Sequence, residues 1–74
     1  MTYYWANAIA VDSLGKPVRL FTYTACTSIE HCDRAFTNWE RNHGYKLLIS
    51  WVTAVYADKS KKIIHKKEYP ENFI

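Results

Sequence analysis

Four residues near the middle of the sequence carry side chains that could bind a metal ion, namely Cys26, His31, Cys32 and Asp33. Zinc sites usually take paired cysteines about two to four residues apart, whereas five residues separate these two cysteines and no second pair follows. Cys32 also lies on the apolar stripe of a predicted helix, where a free cysteine behaves as a small hydrophobic residue. We therefore predict a thiol in the core, with no bound metal and no other cofactor.

A nucleophilic role for Cys32 is the alternative chemistry, because the start of a helix lowers the pKa of a thiol. Such a nucleophile needs a nearby base and an oxyanion site. His31 is adjacent in sequence, so on a helix its side chain points about 100° away from that of Cys32. The chain has only two glycines, which leaves no glycine-rich phosphate loop. We predict that the protein is not an enzyme and takes no small-molecule substrate.

A run of basic residues, KSKKIIHKK, occupies positions 59–67. Lysines beside aromatic side chains are typical of proteins that bind single-stranded nucleic acid, where the lysines contact phosphate. Arginine is absent from this run, and acidic residues stand on both sides of it. Two interpretations stay open: a charged edge strand that resists pairing with other chains, or a polyanion-binding site. The candidate residues are Lys59, Lys61, Lys62, His65, Lys66 and Lys67.

The composition is that of a small folded protein with a high aromatic content. The chain has 74 residues, of which 49% are hydrophobic and 16% aromatic, and its net charge is +3. These values exclude a disordered chain, and the lack of a long apolar run or a basic leader favours a cytoplasmic protein with no membrane association. In that reducing compartment, the disulfide that Cys26 and Cys32 could form is disfavoured.

Residue patterns predict two hairpins around one helix. Alternating strand residues flank a turn at Gly15, and a similar arrangement recurs in the last third of the chain. An apolar stripe at helical spacing lies between them, with Thr27 as the predicted N-cap and Gly44 just past the end. We predict a single small domain over 1–74, with a hairpin over 3–25, a helix over 28–43, a hairpin over 45–69 and a short tail over 70–74.

The order ββαββ predicts an α+β fold in which one helix packs on one face of a single four-stranded, mainly antiparallel sheet. The third strand is apolar on both faces and belongs inside the sheet, which favours the strand order 2-1-3-4. The odd-numbered side chains of strands 1 and 3 carry most of the aromatic groups, so we expect them to lie against the helix. A register shift of one residue, which would mix the two faces, stays open as the alternative.

The opposite face would then be apolar and exposed, beyond what a monomer usually leaves in water. We take it as the candidate partner-binding face, formed by Tyr4, Ala6, Ala8, Leu20, Leu48, Val52, Ala54 and Tyr56. We therefore expect a small accessory or regulatory protein that acts through protein–protein contacts, with itself or another protein as partner and a homodimer favoured. The alternative function is nucleic-acid binding through the lysine-rich last hairpin.

Overall fold

A computed structural model describes residues 2–73 and shows one four-stranded antiparallel sheet with one α-helix. The strand order is β2-β1-β3-β4, so the predicted α+β fold and the strand order 2-1-3-4 are confirmed. The elements are β1 (Tyr3–Val11), β2 (Pro17–Phe21), α1 (Ile29–Arg41), β3 (Lys46–Val55), β4 (Lys61–Glu68) and a short 3-10 helix (Pro70–Asn72).

The turn between β1 and β2 is closed by Asp12 and Lys16. The Asp12 amide donates to the Lys16 carbonyl oxygen at 2.9 Å, and the Gly15 amide donates to the Asp12 carbonyl oxygen at 3.0 Å. Gly15 has a φ of 79°, a left-handed conformation that glycine adopts without the steric penalty of a Cβ. These local bonds fix the register in which β2 pairs with β1.

Lys59 and His65 give the last hairpin two non-glycine residues with left-handed backbone, at φ values of 70° and 50°. Lys59 lies in the turn between β3 and β4, where its amide donates to the Tyr56 carbonyl oxygen at 2.9 Å. His65 lies in a bulge, where β4 has two residues opposite Trp51 alone. A bulge twists an outer strand and makes it a poorer template for pairing with another chain.

Helix α1 begins one residue later than predicted, because Ser28 and not Thr27 is the N-cap. The Ser28 hydroxyl oxygen accepts a hydrogen bond from the His31 amide at 3.3 Å. The Thr27 hydroxyl instead lies 3.3 Å from Nδ1 of His31. After the helix, Gly44 turns the chain toward β3 with a φ of 70°.

Helix α1 covers the sheet face that carries the small residues of β1. Ala6, Ala8 and Ala10 are fully buried and share one core cluster with Cys32 and Phe36 of the helix. The prediction that the odd-numbered face of the sheet lies against the helix is therefore wrong. Alanines leave room for a helix with a bulky stripe to approach the sheet closely, which is how close-packed interiors are filled.

A bulge in β3 changes the side that its residues face. Ile9 pairs with Ile49 and Ala10 pairs with Leu47, so Leu48 is the extra residue. Leu47 therefore faces the helix with Ala10, although Ile49 faces the other side with Ile9. The alternative predicted above, in which a register shift of one residue mixes the side chains of the two faces, therefore applies to β3 at this bulge.

The segment after β4 closes one end of the core. Tyr69 is buried, and its hydroxyl oxygen lies 3.0 Å from the hydroxyl oxygen of Ser50 on β3. Nδ2 of Asn72 donates to the Leu47 carbonyl oxygen at 2.7 Å. These two contacts attach the C-terminal segment to β3.

Candidate interaction surface

The sheet face opposite α1 is not covered by any other described element, and we name it the open face. Residues that pair across antiparallel strands share a face, so the pairing registers arrange its side chains in five rows across the sheet. The first row is Arg19, Ile9, Ile49 and Glu68; the second is Phe21, Asn7 and Trp51; the third is Trp5, Thr53 and Ile63; the fourth is Tyr3, Val55 and Lys61. A fifth row lies beyond the first, next to the β1–β2 turn, and is formed by Pro17, Val11 and Lys46.

Most of the open face is apolar and accessible to solvent. The exposed fraction of the residue is 60% for Ile63, 49% for Phe21 and 43% for Tyr3. Trp5 and Trp51 are half-buried among these neighbours. Contiguous exposed apolar surface of this kind is typical of sites where proteins bind partners.

Asn7 is a polar residue at the centre of the open face, and its side-chain donors form hydrogen bonds within the chain. Nδ2 of Asn7 donates to the Trp5 carbonyl oxygen at 3.0 Å and to Oγ1 of Thr53 at 3.3 Å. An apolar partner can therefore cover this point without leaving the amide donors of Asn7 unpaired.

A cavity of about 480 Å³ lies on the open face beside β2. Trp5, Phe21 and Tyr23 contribute aromatic walls, while Arg19 and Lys61 contribute positive charge. The Phe21 and Tyr23 rings pack edge to face with their centroids 5.3 Å apart, and Tyr23 is 88% exposed. The face therefore has a hollow bordered by a protruding aromatic pair.

Most of the residues predicted to bind a partner lie instead on the helix-covered side, while Leu48 lies in the bulge of β3 and Tyr56 lies beyond the strand end. Alternation along a strand separates two sets of side chains but does not indicate which set meets the helix. Residue size was the missed signal, since the bulky helix stripe suits the alanine face, and Trp5, Ile9, Trp51 and Ile63 remain outside. Four of the predicted residues are buried, namely Ala6, Ala8, Val52 and Ala54. Three are half-buried, namely Tyr4, Leu20 and Leu48, and Tyr56 is exposed.

The structure divides the lysine-rich run among several surfaces. Lys61 lies on the open face, whereas Lys62 pairs with Ala54 and so lies on the side of the helix. Lys59 lies in the turn that joins β3 to β4. The first three lysines of the run therefore do not form one continuous basic surface.

The remaining basic residues of the run border a cavity of about 540 Å³ between β4 and α1. Nζ of Lys67 lies 4.7 Å from the centroid of the Tyr69 ring, a cation–π contact that gives this lysine a structural role. Two carboxylates on α1 line the same cavity and weaken the attraction that it could exert on a polyanion. The basic residues here are His65, Lys66 and Lys67, and the acidic residues are Asp33 and Glu40.

Cys26 and Cys32 are free thiols, and Cys32 lies in the core, as its place on the apolar stripe predicts. Burial raises the pKa of Cys32 to about 12, with Cys26 and Asp33 adding to the effect. Burial and a raised pKa both make a thiol a weaker nucleophile, so neither favours the nucleophilic role considered for Cys32. Among residues 2–73, no group of three or more His, Cys, Asp or Glu residues is placed to hold a metal ion.

Within the described part of the chain, no helix combines the length and the apolar character needed to cross a membrane. Comparison with protein-family models, with curated proteins and with solved structures returned no match to this chain. The open face is therefore the feature from which a function can be proposed.

Proposed function

We propose that this chain is a small non-enzymatic accessory protein that acts through protein–protein contacts of its open face, and that a second copy of the chain occupies this face. The exposure of Ile63, Phe21 and Tyr3 on one side of the sheet is the observation that carries the proposal. Removing such side chains from water is the main favourable contribution to association between proteins.

The size of the open face suits a stable contact between two copies. The 16 strand positions in its five rows, about 4.8 Å apart across the strands and about 7 Å apart along them, cover roughly 500 Å² in projection, and the relief of the side chains makes the accessible area larger. A typical specific interface removes about 800 Å² of accessible surface from each partner. A second copy presents a face of the same width and length, so the two sheets can cover most of one another.

The distribution of charge on the open face also suits a protein partner. Arg19, Lys61 and Glu68 stand on the outer strands and Lys46 stands at the end of β3, while the other positions of the two central strands carry apolar and neutral residues. An apolar centre with a charged rim is the usual arrangement in protein interfaces. Two sheets that pack face to face lie about 10 Å apart, with side chains from both filling the space between them.

Sedimentation equilibrium of the wild type and of an Ile63→Lys variant tests the proposal. We expect the wild type to form dimers at micromolar concentration. Burying a lysine at the position of Ile63 in the interface should raise the dimer dissociation constant by at least about tenfold, because an unpaired charge loses its hydration there. Circular dichroism of both proteins checks that the fold is unchanged.

The matched control is Leu14→Lys, which makes a comparable replacement at an exposed residue in the β1–β2 turn, away from the open face. This variant should dimerise like the wild type. Monomeric wild type at high concentration, or equal effects of the two substitutions, would contradict the proposal.

Nucleic acid is the competing class of partner, because Arg19 and Lys61 border the same cavity as Trp5 and Phe21. Titration of a fluorescently labelled single-stranded oligonucleotide with the wild type separates the two classes. Binding that persists at near-physiological salt, is weakened by Lys61→Gln and dissociates the dimer would assign the open face to nucleic acid and overturn the proposal.

A further inference from the structure

The positions of charged groups on the open face specify how the two copies are oriented. We infer that they meet around a two-fold axis parallel to the strands, so that Arg19 of each copy lies against Glu68 of the other. This inference rests on the proposed function, and it adds the geometry of the interface and the pair of residues that determines it.

Arg19 and Glu68 stand at opposite ends of the same row. This row begins with Arg19 on β2, passes through Ile9 and Ile49 on the central strands, and ends with Glu68 on β4. Rotation about an axis parallel to the strands keeps each residue at its height along the strand and exchanges the two edges of the sheet. The row of one copy therefore lies over the same row of the second copy in reverse order. Arg19 then faces Glu68 at both ends, and Ile9 faces Ile49 between them.

The same rotation places large side chains of one copy over smaller side chains of the other. In the third row, Trp5 of one copy faces Thr53 of the second copy, and in the second row Trp51 faces Asn7. Two indole rings therefore never compete for the same space. This alternation of volumes allows the two faces to interdigitate at the density of a protein interior.

The other symmetric arrangement, with the axis across the strands, is disfavoured by charge. It lays β4 of one copy over β4 of the other, which sets Lys61 against Glu68 but leaves Arg19 with no acidic group opposite it among the described residues. It also brings together two strands that each carry four lysines and one glutamate, although Lys61 is the one of these lysines whose pairing places it on the open face. With the axis parallel to the strands, each β4 lies over β2 of the second copy, so the two lysine-rich strands are at opposite edges of the interface. Like charges are thereby separated, and arginine, the residue better suited to pair with a carboxylate at an interface, is the one that is used.

Charge reversal tests the orientation. Arg19→Glu and Glu68→Arg, each alone, place like charges together at both ends of the row and should raise the dimer dissociation constant by about tenfold. The double variant Arg19→Glu/Glu68→Arg restores opposite charges and should return the dissociation constant to within about threefold of the wild type. The coupling between the two reversals should shrink at about 1 M salt, where charges at a rim are screened.

Arg34→Glu is the matched control, because it makes the same charge change at an exposed position on α1. It should leave the dissociation constant unchanged. A double variant weaker than either single variant would overturn the orientation, and so would coupling found instead between Lys61→Glu and Glu68→Lys, which would place the axis across the strands.

The outcomes separate this inference from the proposed function. If neither pair of reversals is coupled while Ile63→Lys still dissociates the dimer, the orientation is wrong and the open face remains the interface. If the wild type is monomeric under the same conditions, the proposed function fails and the orientation fails with it.

Discussion

Ser50 and Tyr69 show how a single hydrogen bond can matter in a core this small. Both residues are buried, and their hydroxyl oxygens lie 3.0 Å apart. Within residues 2–73, every buried side-chain nitrogen or oxygen has a hydrogen-bond partner. Each hydroxyl of this pair thus satisfies the other in a place that water does not reach.

Removing one hydroxyl should therefore cost more than the bond itself contributes. We expect Tyr69→Phe to lower the free energy of unfolding by about 1–2 kcal/mol, because the Ser50 hydroxyl would lose its partner while it remains buried. Urea unfolding monitored by circular dichroism measures this change.

The matched substitution Tyr56→Phe removes a hydroxyl from a tyrosine that is exposed just after β3. We expect it to change the free energy of unfolding by less than about 0.5 kcal/mol. Equal effects of the two substitutions would mean that the Ser50–Tyr69 bond does not contribute to stability.

At the scale of elements, the contact between α1 and the alanine face of β1 determines the architecture. Cys32 and Phe36 of the helix pack against Ala6, Ala8 and Ala10, whose small side chains allow the helix to approach the sheet closely. Its position on this face leaves Tyr3 and Trp5 of β1 and Trp51 of β3 for the open face. The small side chains of one strand thus determine which surface is available to a partner.

Enlarging one of these alanines tests the packing. We expect Ala8→Leu to lower the free energy of unfolding by about 1–3 kcal/mol, because the added methyl groups would push against α1 in a filled core. Ile9→Leu, at the next residue on the open face, should change it by less than about 0.5 kcal/mol. Thermal or urea unfolding of both variants provides the measurement, and the reverse ranking would place the helix on the other face.

The secondary structure and the strand order could be predicted because they depend on patterns that the sequence displays directly. The apolar stripe through Cys32, Phe36 and Trp39 indicates the helix, and the two apolar sides of β3 place it inside the sheet. The turn at Gly15 is equally direct, since few residues other than glycine adopt its conformation.

The membership of the exposed face could not be predicted in the same way. An uncovered apolar face was expected, but the choice of side depends on the fit of side-chain volumes between two elements, which alternation does not encode. The bulges at Leu48 and His65 also change the pairing along β3 and β4, and neither residue type indicates a bulge in a sequence. The side of the sheet on which each lysine of β4 lies could therefore not be predicted either.

At the scale of the whole molecule, the proposed dimer links stability to protein concentration. We expect the melting temperature measured by calorimetry to rise by about 5–10 °C between about 1 µM and about 100 µM protein, because association stabilises the folded state by mass action.

The Ile63→Lys variant provides the comparison for this prediction. Its melting temperature should rise less over the same range of concentration, because its larger dissociation constant leaves more of the protein monomeric. A constant melting temperature in the wild type would show that the chain folds and unfolds as a monomer.

The strand order has a further consequence, which concerns the speed of folding. The central strands β1 and β3 belong to different hairpins, and β2, its following loop and α1 separate them in the chain. Each hairpin can form through local contacts on a microsecond timescale, of about 1–10 µs. The sheet becomes cooperative only when the long intervening segment closes and brings the two inner strands together, and the entropy of that closure is lost before any pairing compensates it. The meeting of β1 with β3 is thus the slow step, and until it occurs the inner edge of each hairpin is open to pairing with another chain.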